Sequence, residues 1–156
     1  MDVAVKSSEK AKAAAKPVTV IKRVGSIGAG QMGSGIAHVV ALGGYEILLN
    51  DIRSEAIDQA RATIEKNMQR QVGKGIIAGD DMEVALKRIH SAPAVADLGQ
   101  CDLVIEAATE DEGIKRKIFA DLCSKLKPEA LVATNTSSIS ITRLASTTDR
   151  PERFIG

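Results

Sequence analysis

Aromatic side chains are almost missing: there is no tryptophan, one tyrosine and two phenylalanines in 156 residues. A surface that stacks nucleic-acid bases is therefore not expected, and the core must be filled by Ile, Leu, Val and Ala. An excess of one charge is missing too. Twenty-one basic residues against twenty acidic ones leave a formal net charge of +1, so no overall field draws the chain to nucleic acid or to a membrane surface. Cysteine is scarce, and Cys101 and Cys123 have no metal-ligand spacing and make no disulfide framework. Both read as reduced thiols, and no metal is expected. No run of about 18 apolar residues is present to span a bilayer, and a cytoplasmic protein is the expectation. The length suits one domain with a real core, close to the usual ~100–150 residues.

Large apolar residues are also too few to pack in residues 1–17, which are rich in Ala, Lys and Ser. There Lys6, Lys10, Lys12 and Lys16 against Asp2 and Glu9 give a charge of +2, leaving −1 for the rest. With no apolar segment and no arginine, this stretch reads as a flexible, solvated extension rather than a targeting signal. The folded domain is expected over 18–156.

What is present is a short apolar run entering Gly28-Ala29-Gly30-Gln31-Met32-Gly33. Its glycines stand at G-x-G-x-x-G spacing, the pattern of a dinucleotide-phosphate cradle. Gly28 permits a sharp turn, Gly30 leaves room for a diphosphate against the backbone, and Gly33 lets helix and strand approach. The spacing alone is weak, but its context is ordered. Ile27 closes a strand, and Met32, Ile36, Val39 and Val40 recur at helical spacing until Gly43-Gly44. A second strand, Tyr45 to Asn50, then delivers Asp51 about 20 residues beyond the turn, where a ribose-binding acid belongs.

The remainder continues the alternation. Ser54 is a candidate cap for a long helix with a stripe of Ile57, Ala60, Ile64, Met68 and Val72, and Asp80 or Asp81 for a shorter one. A brief strand at Ile89-His90-Ser91 follows. Cys101 to Ala108 has the continuous apolar centre of a parallel strand covered on both faces. Glu110, Asp111 and Glu112 begin a helix whose expected buried stripe is Ile114, Ile118, Phe119, Leu122 and Leu126. Ala130 to Thr134 is a further strand, ending in Asn135-Thr136-Ser137-Ser138. A last helix carries Ile139, Ile141 and Leu144, with Ser138 its expected cap, and Arg153 to Gly156 begins a sixth strand. Such alternation predicts an α/β fold with a doubly wound parallel sheet in order 3-2-1-4-5-6, binding its ligand at the carboxyl ends of the strands.

Four separated stretches resemble the 3-hydroxyacyl-CoA and 3-hydroxybutyryl-CoA dehydrogenases. They are Gly28 to Ala37, Asp51, Val104-Ile105-Glu106-Ala107-Ala108-Thr109-Glu110, and Asn135-Thr136-Ser137-Ser138-Ile139-Ser140-Ile141-Thr142. The resemblance runs from about Lys22 to Gly156. It implies the NAD-binding domain of that family, a three-layer Rossmann fold, and oxidation of an (S)-3-hydroxyacyl-CoA, with short acyl chains usual in the bacterial branch. It also implies Asp51 at the adenine ribose and Glu110 and Lys115 near the nicotinamide. Each of the last two has a plainer alternative, a dipole-compensating acid and a surface charge. Ser137 resembles the serine that bonds the substrate oxygen beside the nicotinamide, against an alternative role as a helix cap. Asn67 and Lys74 resemble positions that meet coenzyme A, against solvated surface. Asp51 favours NAD over NADP, since its carboxylate accepts a 2′-hydroxyl and repels a 2′-phosphate; Arg53 is the counter-signal.

The family's catalytic histidine and its carboxylate partner follow a segment resembling Arg153-Phe154-Ile155-Gly156. His38 and His90 do not match that position and read as structural or surface residues. The helical second domain, through which the resemblance implies a homodimer, follows as well. The chain is thus expected to bind NAD(H) with little turnover alone. The competing expectations are another β-hydroxyacid dehydrogenase and a non-enzymatic NAD-binding module.

Overall fold

A computed structural model describes residues 19–156; the extension expected over 1–17 lies outside them, as does the first residue of the expected domain. Six parallel strands form one sheet in the order β3-β2-β1-β4-β5-β6. They are β1 (Arg23–Ile27), β2 (Glu46–Asn50), β3 (Ile89–Ser91), β4 (Leu103–Glu106), β5 (Leu131–Thr134) and β6 (Phe154–Ile155). The helices are α1 (Gln31–Leu42), α2 (Ser54–Gly73), α3 (Gly79–Lys87), α4 (Glu112–Lys125) and α5 (Ile141–Ser146). The expected strand order is therefore the one observed. The order reverses between β1 and β4, which opens a crevice at their carboxyl ends.

Alternation along the strands divides the core into two layers. Val24, Ile47 and Leu49 pack with Ala37, Ile57, Ile64 and Met68 on the side of α1, α2 and α3. Ile27, Val104 and Val132 pack with Phe119, Leu122 and Leu144 on the side of α4 and α5. With few aromatics available, Phe119 and Phe154 are placed edge to face, ring centroids 5.0 Å apart. Cys101 and Cys123 are both buried and free, and burial pushes the Cys101 thiol up to about 11. No helix among the described residues is long and apolar enough to cross a membrane.

Helix α1 faces the sheet with its small residues. Gly33, Ser34, Ala37 and Ala41 are buried, whereas Met32 and Val39 are exposed. Close approach explains this: a Cβ on Gly33 would lie 1.8 Å from the carbonyl oxygen of Gly28, so only a helix with small residues on that face can sit so near.

The expected helix starts need correcting. Ser54 is the first residue of α2 rather than its cap, because Asp51 Oδ1 already accepts from the Arg53 amide at 3.0 Å and the helix begins from that turn. Asp80 and Asp81 lie in the first turn of α3 behind Ala78, where their charge offsets the helix dipole. Ser140, not Ser138, caps α5 by accepting from the Arg143 amide, so Ile139 falls before that helix. Asp111 caps α4 through the Ile114 amide. Ile114 itself is exposed rather than buried, since the first turn of α4 overhangs the crevice instead of the core.

At the amino ends of the central strands, Asp102 accepts from the main-chain amides of Lys22 and Arg23 at 2.8 and 2.9 Å and from the Lys127 ammonium. Burial alone would push its carboxyl up, but these bonds outweigh it and hold the group down at about 2.

Candidate functional site

The strand register sets one row of residues beneath the crevice. Asn50, Ile27, Glu106 and Thr134 are consecutive partners across β2, β1, β4 and β5. Three of the four are polar, and all three are buried. A parallel sheet covered on both faces tolerates such groups only when they are hydrogen-bonded. Asn50 donates to the Ala92 carbonyl at 2.7 Å, and Glu106 and Thr134 bond one another at 2.8 Å. Among the described residues no buried side-chain polar atom lacks a partner.

Above this row lies the glycine turn. Gly28 has a φ of +100°, its amide donates to the Asn50 carbonyl at 2.8 Å, and a Cβ there would come within 2.6 Å of the Ala107 carbonyl oxygen. Gly30 is the N-cap of α1 and supplies no side-chain cap. A Cβ at Gly30 would meet no atom within 4 Å, so the space over this turn is open. Among the α-helices of the described residues, α1 alone has neither a capping side chain nor an acid in its first turn. Its leading amides, at Gln31, Met32 and Gly33, are the unpaired donors of a helix start. With the positive end of the dipole they form a place for a diphosphate.

Asp51 stands beside that place. Its Oδ2 accepts from the Ala29 amide at 2.9 Å and its Oδ1 from Arg53. These bonds orient the carboxylate and leave lone pairs on both oxygens for further donors. The Arg53 guanidinium is 3.9 Å away and mostly exposed. A crevice of about 570 Å³ runs from Gly28 and Asp51 past Ile52, Val95, Ile114 and Ile118. Ile52 is 99% exposed, an apolar side chain with no protein to cover it and a flat ligand face to suit it. The residues present thus fit a dinucleotide: an amide cradle, an oriented carboxylate and an apolar wall in succession.

Across the reversal point, Glu110 joins β4 to the loop after β5. Its Oε2 accepts from Thr136 Oγ1 at 2.7 Å and from Ser138 Oγ at 2.8 Å. These two hydroxyls hold its carboxyl below the usual carboxylate range, with a smaller contribution from Lys115. Glu110 thus does more than compensate a dipole. Ser137 lies between its two partners with an exposed side chain, and Ser140 rather than Ser137 provides the helix cap.

Lys115 is not a surface charge. It is fully buried, with its ammonium on Glu106. Asn67 and Lys74 are exposed, on α2 and just past its end, and do not line the crevice. His38 pairs with Gln71, and His90 with Glu46; neither lines the crevice. Among the described residues no group of three His, Cys, Asp or Glu could hold a metal ion.

Reading the sequence missed the roles of Glu106, Thr134, Thr136 and Ser138. One signal was visible for Glu106, a lone acid closing the otherwise apolar run Leu103-Val104-Ile105. An acid in a strand covered on both faces must have a buried partner.

Known proteins match this arrangement. The chain is 58% identical to a 3-hydroxybutyryl-CoA dehydrogenase of Bradyrhizobium diazoefficiens, over 88% of this chain and 47% of that protein. It is 43% identical to a probable 3-hydroxybutyryl-CoA dehydrogenase of Deinococcus radiodurans, over 86% of this chain and 48% of that one. The crystal structure of (S)-3-hydroxybutyryl-CoA dehydrogenase from Ralstonia eutropha superposes with a TM-score of 0.84 at 39% identity, over 86% of this chain and 48% of that one. The chain therefore spans about half the length of these relatives. Residues 23–156 match the family model for the NAD-binding domain of 3-hydroxyacyl-CoA dehydrogenases, and the chain belongs to that NAD-dependent family.

Proposed function

We propose that this chain supplies the cofactor-binding part of a cytoplasmic enzyme that oxidises short-chain (S)-3-hydroxyacyl-CoA to the 3-ketoacyl-CoA in fatty-acid or butanoate metabolism. The observation that carries the reading is the bare start of α1 next to an oriented Asp51 carboxylate. The short acyl chain is supported by the names of the Bradyrhizobium, Deinococcus and Ralstonia relatives.

NAD supplies the hydride acceptor when bound. On this reading the amides of Gln31, Met32 and Gly33 hold the diphosphate, Gly28 and Ala29 shape the turn beneath it, and Gly30 keeps the approach clear. Asp51 accepts the adenosine ribose hydroxyls, while Ile52 and Ile114 flank the adenine. Glu110 frames the nicotinamide end with the Thr136 and Ser138 hydroxyls, and Lys115 supports that end from within the fold. Ser137, free of the capping role, donates its hydroxyl to the substrate oxygen as hydride leaves C3. Lys74 and Asn67 meet coenzyme A, an ammonium facing phosphate being physically suited. The hydroxyl proton passes to a base, and His38 and His90 are engaged elsewhere. On this reading the base belongs to the rest of the whole enzyme, as does the interface of a homodimer.

Titration with the two reduced nicotinamides tests this assignment. NADH is expected to bind at least tenfold tighter than NADPH, since the Asp51 carboxylate repels a 2′-phosphate. Asp51→Asn should weaken NADH about tenfold and narrow the preference. Tighter binding of NADPH by the unaltered chain, or no uptake of NADH, would overturn the assignment.

A further inference from the structure

Glu106 makes more bonds than pairing with Lys115 requires. Its Oε2 accepts from the Ala108 amide at 2.8 Å and from the Thr109 amide at 3.3 Å. Its Oε1 accepts from Thr134 Oγ1 at 2.8 Å and from the Lys115 ammonium, and that ammonium also lies 3.3 Å from Thr134 Oγ1. Glu106 and Lys115 are both fully buried. One carboxylate therefore ties three pieces of chain together: the turn leaving β4, the last residue of β5, and α4.

The turn leaving β4 and the start of α4 border the crevice at Ala108, Thr109 and Ile114, and the end of β5 lies next to them, Thr134 being the register partner of Glu106. The turn leaving β4 leads directly to Glu110, and Thr134 leads directly to Asn135-Thr136-Ser137-Ser138. Glu110 closes the gap from above through Thr136 and Ser138, and Glu106 closes it from below. A ligand laid across the reversal point with its adenosine over β2 must place its other half over β4 and β5.

We infer that Glu106, with Lys115 and Thr134, is a positioning residue for the nicotinamide half of the cofactor, holding the β4 and β5 strand-end loops at the separation that half requires. The inference rests on the proposed cofactor reading. Glu106 touches neither solvent nor ligand and acts through the turn at Ala108 and Thr109. Its removal should thus weaken what binds beyond the diphosphate and spare the adenosine side, which rests on Gly28, Asp51 and Ile52. A residue that merely stabilised the fold would weaken both halves together.

Two charge-balanced double variants of this chain separate these cases. Glu106→Leu with Lys115→Met removes both charges and the acceptor for the turn. Glu106→Gln with Lys115→Met removes both charges and keeps an acceptor. Each is titrated with NADH and with ADP-ribose, which lacks the nicotinamide, at a temperature where circular dichroism reports folded protein. The leucine variant is expected to lose tenfold or more in NADH affinity with ADP-ribose within threefold. The glutamine variant, which keeps an acceptor for the turn at Ala108 and Thr109, should lose clearly less NADH affinity than the leucine variant, with ADP-ribose again within threefold. Thr134→Val, isosteric and uncharged, gives a second route if the double variants do not fold, with an expected threefold to tenfold loss for NADH and none for ADP-ribose. Parallel losses for the two ligands, or undiminished NADH binding by the leucine variant (by Thr134→Val on the second route), would overturn the inference while leaving the cofactor reading intact. Failure of the unaltered chain to bind either ligand would overturn both.

Discussion

Replacing Gly33 with alanine is expected to lower stability by roughly 3 kcal/mol or more, the upper range for overpacking against a neighbour that cannot yield. The added Cβ would lie 1.8 Å from the Gly28 carbonyl oxygen and 2.7 Å from its carbon, and both are backbone atoms of the turn itself. Gly30→Ala three residues earlier is expected to behave in the opposite way. Its Cβ would meet nothing within 4 Å and its φ of −75° is ordinary, so the stability cost should be about 1 kcal/mol or less, that of a poorer helix cap. The methyl group would stand in the space assigned to the diphosphate, and NADH affinity should fall at least tenfold. Urea unfolding and NADH titration of the two variants check both statements. An alanine at residue 30 that leaves NADH binding unchanged would remove the phosphate from that turn.

The second large effect is expected at Lys115. Lys115→Met leaves the Glu106 carboxylate buried with its main-chain and Thr134 donors but without a compensating charge. Breaking a buried ion pair from one side costs roughly 3–5 kcal/mol, a large part of the ~5–15 kcal/mol that typical domains possess. At about 2–4 °C per kcal/mol for a domain near this size, the melting temperature should drop by roughly 6–20 °C. A thermal melt decides the matter. A change of under about 2 °C would mean that the lysine head group is hydrated rather than enclosed, and the buried pair would have to be abandoned.

The contrast between these sites marks what the sequence made legible. Gly28, Gly30 and Gly33 declare themselves through spacing: Gly28 and Gly33 satisfy constraints of local backbone geometry, and Gly30 leaves the space over the turn open. Asp51 declares itself through its distance from the turn, and the strand order through the alternation of helix and strand. The Glu106–Lys115 pair does not announce itself in this way. Its members belong to different elements, and only the docking of α4 against the sheet removes both from water. On sequence alone Lys115 left a surface charge open as the plainer alternative. Helix starts were misplaced for a related reason: Ser54, Ser138 and Ser140 are chemically alike, and tertiary partners decide which of them caps. Asp51 turns onto the Arg53 amide and pre-empts Ser54, and Glu110 takes the Ser138 hydroxyl, leaving Ser140 to cap α5. The outward face of α1 was hidden too. Periodicity reports that Met32, Ile36, Val39 and Val40 share a helix, but the close approach required at Gly33 turns its smallest residues to the sheet.

The most direct test is a crystal structure of this chain soaked with NADH. The diphosphate is predicted against the amides of Gln31, Met32 and Gly33, with the adenosine ribose on Asp51 and the nicotinamide over the ends of β4 and β5. Adenosine density anywhere else, or a diphosphate not in contact with the start of α1, would contradict the account.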